Sequence, residues 1–286
     1  MTAVAILTYN RLPALSKILG SVMTHNRVDN IAIFEDCGQS DGTRQWLTST
    51  TTKIPRPDIL ATEHHLAGVK AFLGTDNLGV SGNSNRALKW FMEETDADHL
   101  LLCNDDVEFV GDAGQAYTSA HWATNIGLFC FCDFTSPQYK CTPVNYRGVP
   151  LKRLSRMTGM VMSITRQLVE SIGYFDPQFG RFGEEHCDYT VRARYAGHQS
   201  IMGIQQYCLD IDVQKPVLKH QVVHSTISSQ EKPLLDHVAG SMMREKSKRY
   251  PFTSPYLGFS LLRNRFTDSM VDGGIETDFL VGHHSI

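Results

Sequence analysis

Little in the sequence suggests a disulfide-rich, membrane-spanning or secreted protein. The chain has 286 residues and seven cysteines, with no Cys-x-x-Cys pair, so neither a disulfide framework nor a zinc ribbon is supported. No apolar run approaches the roughly 18–20 residues that a membrane helix needs. The N-terminal apolar run is short and has no charged segment before it. We therefore expect a cytoplasmic protein with reduced thiols, and we leave peripheral contact with a membrane open.

A strong excess of one charge is also missing. Lysine and arginine total 27 against 30 aspartates and glutamates, which gives a formal net charge of −3. This balance argues against a surface built for nucleic acids, although a few residues and a metal can still hold an anionic ligand locally. With 42% hydrophobic and 20% charged residues, the composition is that of a globular protein, and the length favours one large α/β domain.

Short apolar runs alternate with amphipathic stretches through the first half of the chain. The pattern predicts buried strands at residues 3–8, 30–34, 69–73 and 99–103, and helices at 12–23, 41–47 and 85–94. This order predicts a mostly parallel, doubly wound sheet, which binds ligands outside the carboxyl ends of its strands. The second half is more mixed.

Three features of the surface and packing are also predicted. Residues 139–154 read as a basic, mobile loop that either closes over an anionic ligand or is simply solvated. A helix over 188–196 is expected to expose Arg192 and Arg194. Three tryptophans are expected to pack in the core or at its edge: Trp46, Trp90 and Trp122.

Polar residues follow the ends of all four predicted strands, in the segments 8–11, 36–38, 77–85 and 104–106. Asp105 and Asp106 follow a buried run of leucines, with Cys103 and Asn104 in between. Adjacent carboxylates at such a place repel one another and require a cation or a strong donor. Oxygen ligands of this kind suit Mg²⁺ or Mn²⁺. A capped, solvated turn is the alternative that these two residues leave open.

Five segments together resemble a known family. They are Leu7-Thr8-Tyr9-Asn10-Arg11, the run 35–43, the run 77–85, the strand ending at Asp106, and Phe182-Gly183-Glu184-Glu185-His186-Cys187-Asp188. Their order and spacing resemble the nucleotide-sugar glycosyltransferases of the GT-A fold, in particular glycosyltransferase family 2, over about residues 3–225.

The resemblance implies a Rossmann-like α/β fold with a mostly parallel, doubly wound sheet and a smaller mixed section on the acceptor side. It implies a glycosyltransferase domain at 1–225, with a nucleotide-binding half at about 1–110 and an acceptor half at about 111–225. Residues 226–286 are expected to form a helical C-terminal extension.

The resemblance also implies the reaction. A sugar would pass with inversion from a nucleoside diphosphate sugar, expected to be a UDP-sugar, to an acceptor hydroxyl, assisted by Mn²⁺ or Mg²⁺. The acceptor could be a glycan, a lipid-linked glycan, a protein or a modified nucleobase. Donor contacts are implied for Thr8, Tyr9, Asn10, Arg11, Asp36, Asn77, Gly79, Asn85, Asn104 and Asp105.

Metal binding is implied for Asp106, with His224 preferred over His220 as a further ligand. Asn104 departs from the family pattern, because it stands at the first position of the Asp-x-Asp signature. The general base is expected to be Glu185, then Glu184, then Asp188. Two adjacent shielded glutamates would raise each other's pKa, which suits a base working near neutral pH.

Two other readings stay open. One is a carbohydrate-binding protein that has kept the fold and lost turnover, which the Asn104 departure allows. The other is a sugar-phosphate nucleotidylyltransferase, although the segment 9–13 after the first strand lacks the glycine-rich phosphate loop of that class.

Overall fold

The protein is described here from a computed structural model, which covers residues 1–248 apart from Arg27, Asp29, Gln39 and the ranges 51–68, 132–139, 155–156, 200–205, 210–215 and 222–224. The strands are β1 (Thr2–Thr8), β2 (Asn30–Glu35), β3 (Val69–Leu73), β4 (His99–Asn104), β5 (Val107–Phe109), β6 (Leu128–Phe131), β7 (Cys141–Tyr146), β8 (Val149–Leu154), β9 (Val161–Thr165), β10 (Tyr207–Leu209) and β11 (Leu218–His220). The helices are α1 (Leu12–His25), α2 (Thr43–Thr50), α3 (Gly79–Glu94), α4 (Ala113–Thr124), α5 (Arg166–Ile172), α6 (Glu185–Tyr195) and α7 (Glu231–Ser247), and a 3₁₀ turn spans Pro177–Phe179. Each described helix is too short or too polar to cross a bilayer.

In the part of the chain that the structure describes, the main sheet has six strands in the order β3-β2-β1-β4-β9-β6. Strands β1 to β4 run parallel, and β9 is antiparallel to both of its neighbours. The chain leaves β1 in one direction for β2 and β3 and then returns to place β4 on the other side of β1. In a doubly wound sheet, the crevice at such a switch point is where ligands bind. The predicted α/β fold class is therefore confirmed.

The central strands are apolar between their polar end residues, as expected for strands that helices cover on both faces of the sheet. In β4, Leu100 and Leu102 belong to the core on one face, whereas Leu101 and Cys103 belong to the core on the other. This alternation is the two-residue repeat of a strand. Two smaller sheets, β10-β8-β7 and β11-β5, lie outside the main one.

Helix α3 begins six residues earlier than the sequence pattern suggests, at Gly79 rather than Asn85. The Asp36 carboxylate accepts hydrogen bonds from the Leu78 and Gly79 backbone N–H groups, both at 2.8 Å. A carboxylate at this position satisfies N–H groups that a helix start leaves unpaired. The asparagine- and glycine-rich run therefore forms the first turns of a helix instead of a loop.

Three expectations about the second half and the surface are wrong. Residues 141–154 form the β7–β8 hairpin, and β8 also pairs with β10, so the described part of the expected loop is sheet. Arg192 is fully buried, because its guanidinium donates to Asp188 and to the Ile172 and Tyr174 carbonyls. Trp90 is a core residue as expected, but the Trp122 side chain is 74% exposed.

Helix α7 is attached to the main domain through Lys246. Its ammonium contacts Asp188 Oδ1 at 3.0 Å and also contacts Asp176. Near the middle of the helix, Ala239 lies so close to Gly183 that a β-carbon on that glycine would stand 3.0 Å from the Ala239 Cβ. The described part of the expected C-terminal extension thus packs against the segment that leads into α6.

A single added methyl group tests the close approach at the start of α3. Gly79 has φ +71, and a β-carbon there would lie 2.1 Å from the Arg181 Cα, so Gly79→Ala should lower the free energy of unfolding by at least about 2 kcal/mol. The matched control is Gly20→Ala in α1, where the added carbon would have no atom within 4 Å apart from its chain neighbours and the backbone of its own helix. That change should stabilise by about 0.5–1 kcal/mol. Urea denaturation measures both, and equal effects would contradict the geometry.

Candidate active site

Two carboxylates form the centre of the site, in the turn after β4. Asp105 is 3% exposed, and its two oxygens accept from Thr8 Oγ1 at 2.7 Å and Arg11 Nη1 at 2.9 Å. The same Arg11 nitrogen lies 3.3 Å from Asp106 Oδ2. Burial raises the pKa of Asp105 to about 6, and the Arg11 charge and the Thr8 hydrogen bond limit that rise. The neighbouring ends of β1 and β4 therefore meet in one charged cluster.

The second oxygen of Asp106 can accept a further ligand. Asp106 Oδ1 is buried and has no hydrogen-bond partner among the described residues, and a buried carboxylate oxygen left in this state is costly. No group of three or more histidines, cysteines or acids in the described part of the chain is arranged to hold a metal. Mg²⁺ and Mn²⁺ do not need such a group, since one or two carboxylates and substrate phosphates commonly hold Mg²⁺.

The two candidate histidines lie in or beyond β11. His220 pairs with Val107 in the β11–β5 ladder, directly after Asp106. The next residue, Gln221, donates its backbone N–H to the Asp106 carbonyl at 2.7 Å. His224 lies outside the described residues, so its role as a metal ligand stays a prediction.

Asp36 lies at the end of β2 and holds the start of α3. It is 5% exposed, and burial raises its pKa to about 6 against the effect of its two backbone hydrogen bonds. Asn77 Oδ1 accepts from the same Gly79 N–H at 3.1 Å. These contacts show what Asp36 does within the protein, and its expected hydrogen bond to a nucleobase stays a prediction.

The remaining donor candidates lie in different surroundings. Tyr9 and Asn10 follow β1 and are half-buried, and Asn10 Oδ1 accepts from the Ser40 N–H at 3.0 Å. Asn85 is 4% exposed, and its amide exchanges two hydrogen bonds with the Phe175 backbone at 2.8 and 2.9 Å. Asn85 therefore joins α3 to the segment before the 3₁₀ turn, which favours a structural role over donor contact.

Glu185 begins α6 and is paired with the next residue. Its Oε1 lies 3.1 Å from His186 Nδ1, and its Oε2 is buried without a partner in the described chain. Burial would lower the pKa of His186, but the Glu185 hydrogen bond and charge outweigh it, so this pKa stands above its usual 6.5. Burial would likewise raise the pKa of Glu185, but His186 holds it below the usual 4.5. The two side chains form an ion pair with one acceptor oxygen left over.

Asn104 and Glu185 line the same narrow pocket, together with Ser84, Gly159 and His186. The pocket thus brings the carboxyl end of β4 and the start of α6 together, although 81 positions separate the two residues in the chain. The Asn104 backbone N–H also donates to the Met160 carbonyl at 3.0 Å, and this hydrogen bond joins the end of β4 to the segment before β9. Candidate donor-side and acceptor-side groups therefore share one cleft.

The other two base candidates differ from Glu185. Glu184 is half-buried, has φ +64 and precedes the first residue of α6. Asp188 is fully buried, and its carboxylate is bound by Arg192 Nε at 2.8 Å and Lys246 Nζ at 3.0 Å. An aspartate committed to two cations is poorly suited to take a proton, so the geometry favours Glu185.

His186 is the residue of this site that pattern reading missed. Its second interaction is with the Met157 backbone, and Gly159 packs against its ring. The only signal in the sequence was its position directly after Glu184 and Glu185.

Comparisons with known proteins agree with this architecture. The chain is similar to the structure of the mannosyltransferase PcManGT from Pyrobaculum calidifontis in complex with GDP-Man and Mn²⁺, at 12% identity and a TM-score of 0.51, covering 93% of this chain and 84% of that one. It is also similar to S. aureus TarS 1–349 in complex with UDP, at 14% identity and a TM-score of 0.51, covering 91% and 74%. GalNAc-T7 with UDP, GalNAc and Mn²⁺ matches at 13% identity and a TM-score of 0.52, covering 78% of this chain and 44% of that one.

Searches against protein-family models and curated protein sequences find no match. The structural likeness, together with the strand order, shows that the chain has the GT-A fold of nucleotide-sugar glycosyltransferases. At 12–14% identity, this likeness concerns the fold.

Removing the charge of Asp188 tests whether this aspartate has a structural role, in contrast to Glu185. Asp188→Asn leaves Arg192 and Lys246 short of a buried counter-charge, so it should cost about 3 kcal/mol of unfolding free energy. The control is Glu94→Gln, which breaks the exposed pair with Lys70 and should cost no more than about 0.5 kcal/mol. Chemical denaturation of both variants decides the matter, and a change of similar size in both would contradict a buried ion cluster.

Titration by NMR tests the Glu185–His186 pair. The His186 ring signals should titrate above pH 6.5, because Glu185 raises this pKa. Glu185→Gln should lower the midpoint, since burial then acts without its counter-charge. Glu184→Gln, which removes only a more distant charge, should lower it less. An unchanged His186 midpoint in Glu185→Gln would contradict the pair.

The same pair makes stability depend on pH. The raised pKa of His186 gives stability that is complete below pH 6.5 and is lost as the pH rises through the folded value. The lowered pKa of Glu185 gives stability that is present above pH 4.5 and is lost as the pH falls through its folded value. The pair should therefore contribute most to the free energy of unfolding between pH 4.5 and pH 6.5. Urea denaturation across this pH range should show that contribution in the wild type and not in Glu185→Gln.

Proposed function

We propose that the protein is an inverting glycosyltransferase that moves a sugar from a nucleoside diphosphate sugar to an acceptor hydroxyl. The observation that carries the proposal is the single pocket lined by Asn104 at the end of β4 and by Glu185 at the start of α6. Beside it, Asp105 and Asp106 lie at the switch point of a GT-A sheet. We propose that the sugar binds at the mouth of this narrow pocket, with the leaving group beside Asp105 and Asp106 and the base at Glu185.

The polar strand ends supply the donor contacts. Asp36 at the end of β2 would accept a hydrogen bond from the nucleobase, and Thr8 and Asn104 at the ends of β1 and β4 would contact the nucleoside. The structural neighbours bind UDP in two cases and GDP-Man in a third, which supports a nucleoside diphosphate donor. We propose UDP as the nucleoside diphosphate of the donor.

A divalent cation fits the orphaned oxygen of Asp106. Asp106 would hold Mn²⁺ or Mg²⁺, with His224 as a further ligand. When bound, such an ion supplies positive charge that stabilises the leaving diphosphate. Arg11 already lies against both aspartates, so its guanidinium can offset part of the same negative charge.

Glu185 is the proposed general base. Its Oε1 is held by His186, which leaves Oε2 as the acceptor for the proton of the incoming hydroxyl. As the acceptor oxygen bonds to the anomeric carbon, the bond from that carbon to the diphosphate oxygen breaks, and the proton moves to Oε2. His186 lowers the pKa of Glu185, contrary to the raised pKa expected for two adjacent glutamates, so Glu185 is ionised and able to accept a proton at neutral pH. Attack from the face opposite the diphosphate inverts the anomeric centre.

One observation favours a second candidate, a carbohydrate-binding protein without turnover. Arg11 already pairs with both Asp105 and Asp106, and a carboxylate pair whose charge is partly compensated from within the protein depends less on a metal. The nucleotidylyltransferase reading gains no such support, because α1 begins directly after Arg11 with no glycine-rich loop.

Donor hydrolysis distinguishes the two candidates. With Mn²⁺ and a panel including UDP-glucose, UDP-galactose and GDP-mannose, the wild-type protein should release free nucleoside diphosphate from at least one donor. Glu185→Gln should slow the release by about 10²–10⁴-fold, the range for a general base, and Asp106→Asn should slow it by at least about 10²-fold.

The exposed variant Glu94→Gln serves as the control and should keep the wild-type rate. Binding of nucleotide sugar without release from any donor would support the protein without turnover. Release that is equal in Glu185→Gln and the wild type would contradict the proposed base.

A further inference from the structure

A second cavity, which we call the amino-end groove, lies at the opposite end of the main sheet from the candidate active site. Its walls come from the start of β4, the segment before β6, the end of β9 and the last turn of α4, and they include His99, Trp122, Gln167 and His198. The groove has a volume of about 310 Å³, which is at the lower end of the range for small-ligand sites. Nothing in the proposed transfer reaction uses it.

Trp122 forms one wall of this groove. Its side chain is 74% exposed, more than any other large hydrophobic side chain in the described chain. The indole meets the His99 ring edge-on, with centroids 6.1 Å apart. It therefore stands at a fixed position beside the groove while most of its surface faces solvent, and an exposed aromatic surface at a cavity is available for stacking.

The histidines of the groove are uncharged at neutral pH. Burial lowers the pKa of His99 and of His198, and it lowers that of His121 to about 3. His121 is fixed by the Ile126 carbonyl at 2.6 Å and by Ser163 Oγ at 2.8 Å. The imidazoles therefore offer neutral donors and acceptors instead of positive charge.

Arg166, the arginine among the described lining residues, already has its hydrogen-bond donors occupied. Arg166 donates to the backbone carbonyls of Phe91, Met92, Thr95 and Ala97, and its guanidinium thereby closes the C-terminal end of α3. The carboxylates of Asp98 and Glu170 also line the groove. A phosphate or another anion would therefore meet acidic groups and no available cation among the described lining residues.

His99 has unused hydrogen-bonding capacity. It lines the groove and is 5% exposed, yet its Nδ1 is buried with no partner in the described part of the chain. Buried polar atoms are normally paired, so an unpaired one at a cavity points to a missing ligand or water. The amides of Asn125 and Gln167 add exposed donors and acceptors nearby.

We propose that the amino-end groove is a binding subsite for a neutral saccharide. A pyranose ring has an apolar face of C–H groups that stacks on an indole and a rim of hydroxyls that pair with neutral amides and imidazoles. Trp122 supplies the stacking surface, and His99, Asn125 and Gln167 supply the polar partners. This subsite is distinct from the transfer site and does not depend on turnover.

Binding of defined oligosaccharides to the full-length chain tests the proposal. Saturation-transfer NMR and calorimetry with maltohexaose, cellohexaose and mannohexaose should detect at least one complex, and hexagalacturonate, an acidic sugar of similar length, should bind more weakly. Trp122→Ala should weaken binding by at least about tenfold, and Trp122→Tyr should retain part of it. Leu234→Ala, which truncates a side chain that is 66% exposed on α7, is the matched control and should bind as the wild type does.

Three results would overturn the subsite. They are no binding of any of the three neutral oligosaccharides, binding that Trp122→Ala leaves unchanged, or self-association of the wild type that Trp122→Ala abolishes without any sugar binding. Donor hydrolysis measured on the same samples tests the proposed transferase activity separately from the saccharide subsite. Sugar binding that depends on Trp122 in a protein that releases no nucleotide would refute the transferase and support the groove.

Discussion

The contact of Arg11 with Asp105 and Asp106 is the interaction on which the candidate site depends. Parallel pairing places Leu7 beside Asn104, so the residues that follow β1 and β4 must share one small volume. Two carboxylates in that volume would repel one another if they were alone. Thr8 and Arg11 offset this repulsion, and they leave one oxygen of Asp106 free of partners among the described residues. At the switch point of the sheet, two carboxylates therefore lie close together, and Thr8 and Arg11 compensate only part of their negative charge.

The acceptor side is built around α6. Asp188 and Arg192 are buried at its centre, and Lys246 of α7 completes the ion cluster. Because these contacts fix the helix, its first residue, Glu185, faces the pocket beneath β4 in a defined orientation. The stabilising carboxylate of Asp188 and the proposed general base Glu185 are therefore about one helical turn apart. Both oxygens of Asp188 are bound by cations, whereas one oxygen of Glu185 has no partner among the described residues.

The sequence was sufficient for the four parallel strands of the main sheet, because each is a short apolar run that ends in polar residues and alternates with an amphipathic stretch. The site was harder to predict. Asn85 is a polar residue in a glycine-rich run, and its partner Phe175 lies 90 positions away. Arg192 looks like an exposed helical charge until the tertiary structure covers both sides of α6. In the sequence, Trp122 is compatible with the buried face of an amphipathic helix, and only the tertiary structure shows that its side chain is exposed.

The central claim is that Asp106 binds a divalent cation together with a nucleoside diphosphate. Electron paramagnetic resonance of Mn²⁺ titrated into the protein with UDP, corrected for Mn²⁺ bound by UDP alone, tests it without relying on turnover. The account predicts that the wild type removes free Mn²⁺ from solution in the presence of UDP and that Asp106→Asn does not. Equal depletion by both proteins, or none by the wild type, would contradict it.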